Sequence, residues 1–347
     1  MPPTPGRLSP PPAITVESPA RLHLGFIDPN GSLGRAFGSV GLAIDAHGTR
    51  ITARQAPASR RDALIEGAAS DAQRDRIEQH LKQLEATLGK GPTIDIEIHE
   101  TPRAHTGLGS GTQLALALGT AFARARGHAA STADIARTLA RGARSGIGIH
   151  AFDHGGLIVD GGRDARNASR TILPPLIARQ PFPEAWRVLL IDDISREGLH
   201  GDEEKRGLAS LAPFPATLAA HLSHLVLMRI LPAVAESDFD IFADAICDLQ
   251  HTIGEYFAPV QGGVFASPAV ARALEAVAAE QKAGIGQTSW GPVGFAFVAS
   301  AQDAERALAT AQRVSPGASL TFTVAAGRNR GASWRAADRR HHGANAA

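Results

Sequence analysis

A chain of 347 residues, 44% of them hydrophobic, is long enough for one large or two fused domains around a sizeable core. Its 35 basic and 34 acidic residues leave a formal charge of +1, so no global field draws it to nucleic acid or to an anionic membrane, and any specificity for anions must sit in local clusters. The single cysteine, Cys247, excludes an internal disulfide and a cysteine-rich zinc site, and fits a reducing cytoplasm.

Residues 1–12, MPPTPGRLSPPP, are proline-rich without an apolar core, which predicts a disordered lead and no export signal. Nowhere do 18 apolar residues run uninterrupted, so no transmembrane helix is expected. The segments PAITVESPARLHLGFID and TRITARQ alternate as strands do, and so does TIDIEIHE, with Ile94, Ile96 and Ile98 on one face. Between them, SDAQRDRIEQHLKQLEATLG carries an N-cap serine, a closing glycine and Ile77, Leu81, Leu84 and Leu88 at helical spacing, which predicts an amphipathic surface helix.

The stretch HTGLGSGTQLALALGTAFARA, residues 105–125, runs from a glycine-rich turn into a helix with no polar face. Free N–H groups and the positive end of a helix dipole at that turn attract a phosphate. Gly107, Gly109 and Gly111 permit close approach, Ser110 and Thr112 add hydroxyls, and Gln113 has the reach for a phosphate oxygen or a sugar hydroxyl. A tight, ordinarily capped connection is the bland alternative. The glycine spacing is not that of a dinucleotide fingerprint, and no P-loop lysine follows.

Arg21 and His23 alternate on one strand face, as a site pair or as a surface or interdomain pair. Asp28, in DPNG, is either a turn former or a ligand. The segment RGARSGIGIH brings Arg141, Arg144, Ser145, Gly146 and Gly148 together, either as a further anion site or as a point of close packing. A proline-containing connection at 172–183 marks a boundary, after which VLLIDD, helices near 215–236, 238–250 and 268–282, GFAFVAS, a helix from Gln302 to Arg313 and SLTFTVAA suggest a small α+β sandwich. Asp192 and Asp193 end the first of these strands and could carry Mg²⁺ through waters. They partly resemble the acidic pair of phosphoribosyltransferases, though the following loop does not match. Glu197, His200, Glu203 and Glu204 form a charged cluster, either a solvated helix start or, through His200 and Glu203, part of a site. In GQTSWGPVGF, Ser289, Trp290 and Gly291 precede a strand; Trp290 is placed to stack on an aromatic ligand or to fill a core, and Gly291 suits a loop lying against the phosphate turn. His221 and His224 would bind a metal only with a third ligand.

Four segments in order, SPARLHLGFID, TPRAHTGLGSGTQ, SGIGIHAFDHGG and GIGQTSWGPVGFAF, resemble the motifs of the GHMP superfamily, named for galactokinase, homoserine kinase, mevalonate kinase and phosphomevalonate kinase. Within it, GLGSGTQ combined with SWGP closely resembles the β-ribofuranosylaminobenzene 5′-phosphate synthase family over most of residues 14–326. The resemblance implies a two-domain α+β fold, with a ribosomal-protein-S5-like domain over 13–180 and a ferredoxin-like domain over 184–326; beyond it, the arginine-rich, non-periodic segment 327–347 reads from its composition as a flexible solvated tail, or else as a segment that closes over an anionic ligand or a partner subunit. It implies condensation of 5-phosphoribosyl 1-diphosphate with 4-aminobenzoate or 4-hydroxybenzoate, with loss of diphosphate and carbon dioxide, on the route to tetrahydromethanopterin-type carriers. Arg21, His23 and Asp28 would then be catalytic, with Arg21 meeting the benzoate carboxylate or a phosphate. Residues Gly107, Gly109 to Gln113, Arg144 and Ser145 would bind phosphate, and Ser289, Trp290, Gly291, His200 and Glu203 would line the substrate. Mg²⁺ without an organic cofactor, a homodimer and a cytoplasmic location are further implications.

Superfamily kinases read SGxD where this chain has SGIG, and their aspartate assists removal of the acceptor proton. Gly148 cannot serve as a base. An ATP-dependent kinase using Asp153 instead is the alternative, and a sugar-phosphate sensor without turnover is a second.

Overall fold

The computed structural model describes residues 12–166, 173–199, 201–289, 291–317 and 319–336. In chain order these form β1 (Ile14–Asp28), β2 (Arg35–Gln55), β3 (Ile65–Gly67), α1 (Asp71–Leu88), β4 (Ile94–Glu100), α2 (Ser110–Ala125), α3 (Thr132–Thr138), α4 (Ile147–Asp153), β5 (Leu157–Asp160), β6 (Arg163–Asp164) and β7 (Leu176–Gln180). They continue with β8 (Arg187–Asp193), α5 (Gly201–Ser210), α6 (Ala216–Leu225), a π-helical turn (Val226–Ile230), α7 (Leu231–Glu236), α8 (Phe239–Gln261), α9 (Pro268–Glu280), β9 (Gly284–Gln287), β10 (Gly294–Val298), α10 (Ala301–Arg313), β11 (Leu320–Ala326) and β12 (Ser333–Ala336).

The first sheet runs β12-β1-β2-β4-β3, with β5 and β6 also on β2 and β7 on β5. Its alternating isoleucines Ile94, Ile96 and Ile98 are buried as their spacing predicts, beneath α1 and α2. Ser70 caps α1 in a full capping box with Gln73, and α2 is enclosed along nearly its whole length. The second sheet is ordered β11-β8-β10-β9, which is the ferredoxin-like order 4-1-3-2 of a βαββαβ unit. Helices α6 to α8 pack between the sheets, and one core joins Leu22 and Leu24 of β1 to Phe242, Ile246 and Ile253 of α8 and Phe295 and Phe297 of β10.

The helical stretch Ala216–Glu236 is long and apolar enough to cross a membrane by length and composition. Its inward face, Leu222, Leu225, Val226 and Ile230, is buried in that shared core.

The segment expected as a solvated tail from Gly327 departs from that reading. Arg328 N–H donates to Ala43 O at 2.8 Å, and β12 pairs antiparallel with β1 from Ile14↔Ala336 to Glu17↔Ser333. An open edge on β1 presents a row of unpaired N–H and C=O groups, and their demand outweighs an arginine-rich composition. The Arg124 guanidinium lies 3.9 Å over the Trp334 ring and fastens the return. The rest of the expected tail, and nearly all of the expected lead, lie outside the described residues.

Candidate active site

The glycine turn opens a buried helix, as the apolar run after it predicts. β4 ends at Glu100, and α2 starts at Ser110 behind Gly109, whose φ of 80° is left-handed. No side chain caps this helix, so its positive end stays open. The bland alternative of an ordinary cap does not hold.

β1 lays Arg21 and His23 beside the turn. Arg21 N–H donates to Leu108 O at 3.1 Å, and its Nη1 donates to Gly107 O. Its Nε is buried without a partner, close against Gly109, where an added Cβ would stand 3.0 Å from it. Burial pushes the guanidinium down to about 10, so it remains charged at neutral pH. His23 is only 3% exposed; its Nδ1 lies 2.8 Å from Ser289 Oγ and its ring meets Phe26 edge-on at 4.6 Å. Burial first, and then the charges of Arg21 and Arg144, hold His23 well below the usual imidazole range. It is a neutral ring with a buried, unpartnered Nε2.

The third strand of this knot comes from residues 288–291. Thr288 Oγ1 donates to Gly107 O at 2.8 Å and accepts from His23 N–H at 3.1 Å, while Ser289 N–H donates to His23 O at 3.1 Å. Gly291 lies so near the turn that a Cβ there would sit 1.9 Å from Thr106 O. Ser289 and Gly291 are thus packed against His23 and the glycine turn.

Other expectations change. Gln113 is fully buried and donates from Nε2 to Gly148 O at 2.7 Å, so it joins α2 to α4 and does not reach a phosphate. Ser145 Oγ donates to Asp160 Oδ2 at 3.1 Å, the oxygen that also accepts from Gly146 N–H at 2.8 Å. With Gly162 N–H on its other oxygen at 2.8 Å, buried Asp160 clamps the SGIG loop, and burial raises its carboxyl. Ser145 is thus a loop clamp. Asp28 takes its turn role, accepting from Gly31 N–H at 2.8 Å and from Ser32 N–H and Oγ, each at 2.7 Å.

Arg144 lies near enough to His23 to act on its charge, but Glu204 holds it bidentately at 2.6 and 2.9 Å. Glu203, the expected residue of that cluster, is exposed on α5. Asp192 is taken by Arg103 at 2.6 Å, and Asp193 by Ser195 and Ser267, each at 2.6 Å. Asp153 accepts from Thr132 Oγ1 at 2.5 Å on the surface. His200 and Trp290 lie outside the described residues. Among the described residues no three potential ligands converge on a metal.

Two contributors were not singled out from sequence. Asp160 ends the apolar run LIVD, and a carboxylate closing a buried strand was the available signal. Arg76, on the polar face of α1, reaches the start of α2, with Nη1 3.7 Å from a Cβ added at Gly111. Chemically, the site offers helix N–H groups, fixed cations and a neutral imidazole around one point, with the nearby carboxylates engaged elsewhere.

Residues 75–156 match the family described as GHMP kinases N terminal domain, and residues 230–316 match GHMP kinases C terminal. The β-ribofuranosylphenol 5′-phosphate synthase of Archaeoglobus fulgidus is 37% identical over 245 residues, covering 68% of this chain and 75% of the relative. The protein of that name from Methanothermobacter thermautotrophicus is 30% identical over 340 residues, covering 92% and 98%. Among solved structures, a homoserine kinase from Cytophaga hutchinsonii aligns with a TM-score of 0.67 at 16% identity, covering 94% and 99%. A mevalonate diphosphate decarboxylase from Staphylococcus aureus aligns with 0.64 at 12% identity, covering 93% and 98%. These two likenesses establish the shared fold. At the identity and coverage of its synthase relatives, the chain belongs to the β-ribofuranosylphenol 5′-phosphate synthase family, an enzyme family on the GHMP fold.

Proposed function

We propose that the enzyme transfers the 5-phosphoribosyl group of 5-phosphoribosyl 1-diphosphate to the carboxylate-bearing carbon of 4-hydroxybenzoate or 4-aminobenzoate. The curated relatives are named for a phenol product, which favours the hydroxy acid. The C1–O bond to diphosphate breaks with its electron pair, the ring carbon bonds to C1, and the pair from the C–CO₂⁻ bond returns to the ring as carbon dioxide leaves. No proton has to be removed.

The observation that carries this reading is the contact between Thr112 and Gly148. Where a superfamily kinase has its carboxylate base, the Thr112 methyl would lie 2.9 Å from any Cβ at 148. A reaction that needs no base suits such a site. The open start of α2 and Arg21 offset charge growing on the leaving group, and His23, fixed by Ser289 and neutral, orients an acceptor oxygen by hydrogen bonding. Beyond Ser289 opens a cavity of about 380 Å³ walled by Leu24, Ile253, Phe257, Phe265 and Ile285, which suits a benzene ring.

The described residues supply no Mg²⁺ cage, and no step is derived through a protein-held metal; Mg²⁺ enters on this reading as part of the magnesium diphosphate substrate. A homodimer, a cytoplasmic location and a role in making tetrahydromethanopterin-type carriers accompany the proposal on the strength of the family alone.

The test is release of labelled carbon dioxide from carboxyl-labelled 4-hydroxybenzoate and 4-aminobenzoate, with the sugar diphosphate and Mg²⁺ each omitted in turn. Release that requires the sugar diphosphate supports the reading. No release from protein shown to be folded would overturn it.

A further inference from the structure

Arg21 guards one flank of the phosphate turn at Gly109, and a second cationic group stands on the other flank at Gly111. Arg76 projects from α1 to the first turn of α2. Arg141 comes from the turn after α3, with Nη2 3.2 Å from His80 Nε2 and its Nε buried without a partner. His80 lies four residues beyond Arg76 on the same face of α1, is 6% exposed, and has Nδ1 3.2 Å from Gln83 Oε1.

Among the described residues neither Arg76 nor Arg141 has a carboxylate partner. Burial first, and then the charge of Arg76, lowers Arg141; burial first lowers His80 too, with the charges of Arg141 and Arg76 adding to it against the raising hydrogen bond of Gln83. The open, positive end of α2 adds to the same sign. Arg76 at the helix start and Arg141 within reach of its charge repel one another, and an anion placed between them would be attracted by both.

The substrate of the proposed reaction carries phosphoryl groups at two ends and needs two anion subsites. Displacement at C1 puts the leaving group and the acceptor on opposite faces of the sugar. With the acceptor in the cavity beyond Ser289, the leaving group lies over the start of α2, with Arg21 on its Gly109 flank and Arg76 on its Gly111 flank. We infer that Arg76 and Arg141 form a second anion subsite that takes the diphosphate of the sugar substrate; the identity of that ligand rests on the synthase reading.

Calorimetric titration of inorganic diphosphate and, separately, of ribose 5-phosphate into wild type, Arg76→Gln and Arg141→Gln tests the subsite without turnover. Each substitution should weaken diphosphate by about 10-fold or more, the size of one lost charge-assisted hydrogen bond, and leave ribose 5-phosphate within about two-fold. Arg141→Lys should recover part of the loss. Because no carboxylate among the described residues pairs with Arg76, Arg76→Gln should unfold at the same temperature as wild type or higher, whereas a merely structural arginine would lower it. Diphosphate affinity unchanged in both glutamine variants, weakening confined to ribose 5-phosphate, or wild type that binds no diphosphate at millimolar concentration would each overturn the subsite. If diphosphate binding behaves as expected but no carbon dioxide is released in the synthase assay, the subsite stands and the substrate assignment falls.

Discussion

The methyl group of Thr112, at the start of α2, packs against Gly148 of α4 so closely that a Cβ at 148 would lie 2.9 Å from it. This contact fills the place of a kinase base with hydrocarbon, and Gln113 reinforces it by bonding Gly148 O at 2.7 Å. Gly148→Asp should therefore overpack the α2–α4 contact, lowering stability by roughly 1–3 kcal/mol without creating ATP-dependent phosphotransfer. Denaturant unfolding and a phosphorylation assay with small alcohols check both halves. Phosphotransfer appearing in the variant would show that only the missing carboxylate separates this site from a kinase.

Gly109 is constrained twice, by its φ of 80° and by Arg21 pressed against it, with Nε, Cγ and Cζ 3.0 to 3.1 Å from an added Cβ. Gly109→Asn tolerates the left-handed backbone but still displaces Arg21, while Gly109→Val adds about 1–2 kcal/mol of backbone strain. On the proposed reaction both should raise KM for the sugar diphosphate by about 10-fold or more, on the scale of one lost charge-assisted bond, with valine also lowering Tm. If asparagine leaves KM unchanged, the position of Arg21 does not matter to that substrate.

The parts of this site that sequence exposes are those governed by local rules. Arg21 and His23 share a face because strands alternate, and the glycine turn opens a helix because the apolar run after it has no polar side. What sequence hides is which polar group faces which. Gln113 and Ser110 stand three residues apart at one helix start, yet Gln113 turns into the α4 contact. Ser145 looks like a phosphate hydroxyl until Asp160, fifteen residues on, is seen to hold it. Arg76 sits among Arg74, Asp75 and Glu78 on a face that reads as solvated, and only the packing of α1 beside α2 brings it to Gly111. The return of 327–336 to the first sheet, against β2 at Gly327 and Arg328 and along β1 at 333–336, was concealed because composition reports solubility, whereas an open strand edge recruits backbone whatever its side chains.

His23 gives the fold a signed pH dependence. Burial holds its folded pKa well below the ordinary imidazole value of about 6.5, so as pH falls through that value the unfolded chain binds a proton that the folded chain refuses, and stability drops. His80, also lowered, adds the same sign. Asp160 opposes them from the acid end, since its raised carboxyl keeps a proton in the folded state above 3.8, where the unfolded carboxyl has lost it. Comparison of wild type with His23→Gln isolates the first contribution. The variant should lose less stability between about pH 6.5 and 5, with a slope smaller by up to about 1.4 kcal/mol per pH unit. Identical slopes would mean that His23 takes up its proton in the folded state.

The pair of Arg144 and Glu204 ties α5 to the site, and α5 has no fully buried residue of its own. Glu204 is 15% exposed and Arg144 32% in their side chains, so the bidentate pair is partly shielded and stronger than a typical surface bridge, at about 1 kcal/mol. Glu204→Gln and Arg144→Gln should each loosen α5, speeding proteolytic cleavage within 201–210 several-fold while the global unfolding midpoint moves little. The double variant should cleave no faster than either single variant, because both remove one bond. The same bond decides how much of the Arg144 charge reaches the His23 side of the site. In Glu204→Gln that charge is free to meet an anion, so on the proposed reading, which puts the 5-phosphate on the flank away from Arg76, ribose 5-phosphate should bind more tightly, and unchanged binding would place Arg144 outside the path of both phosphoryl ends.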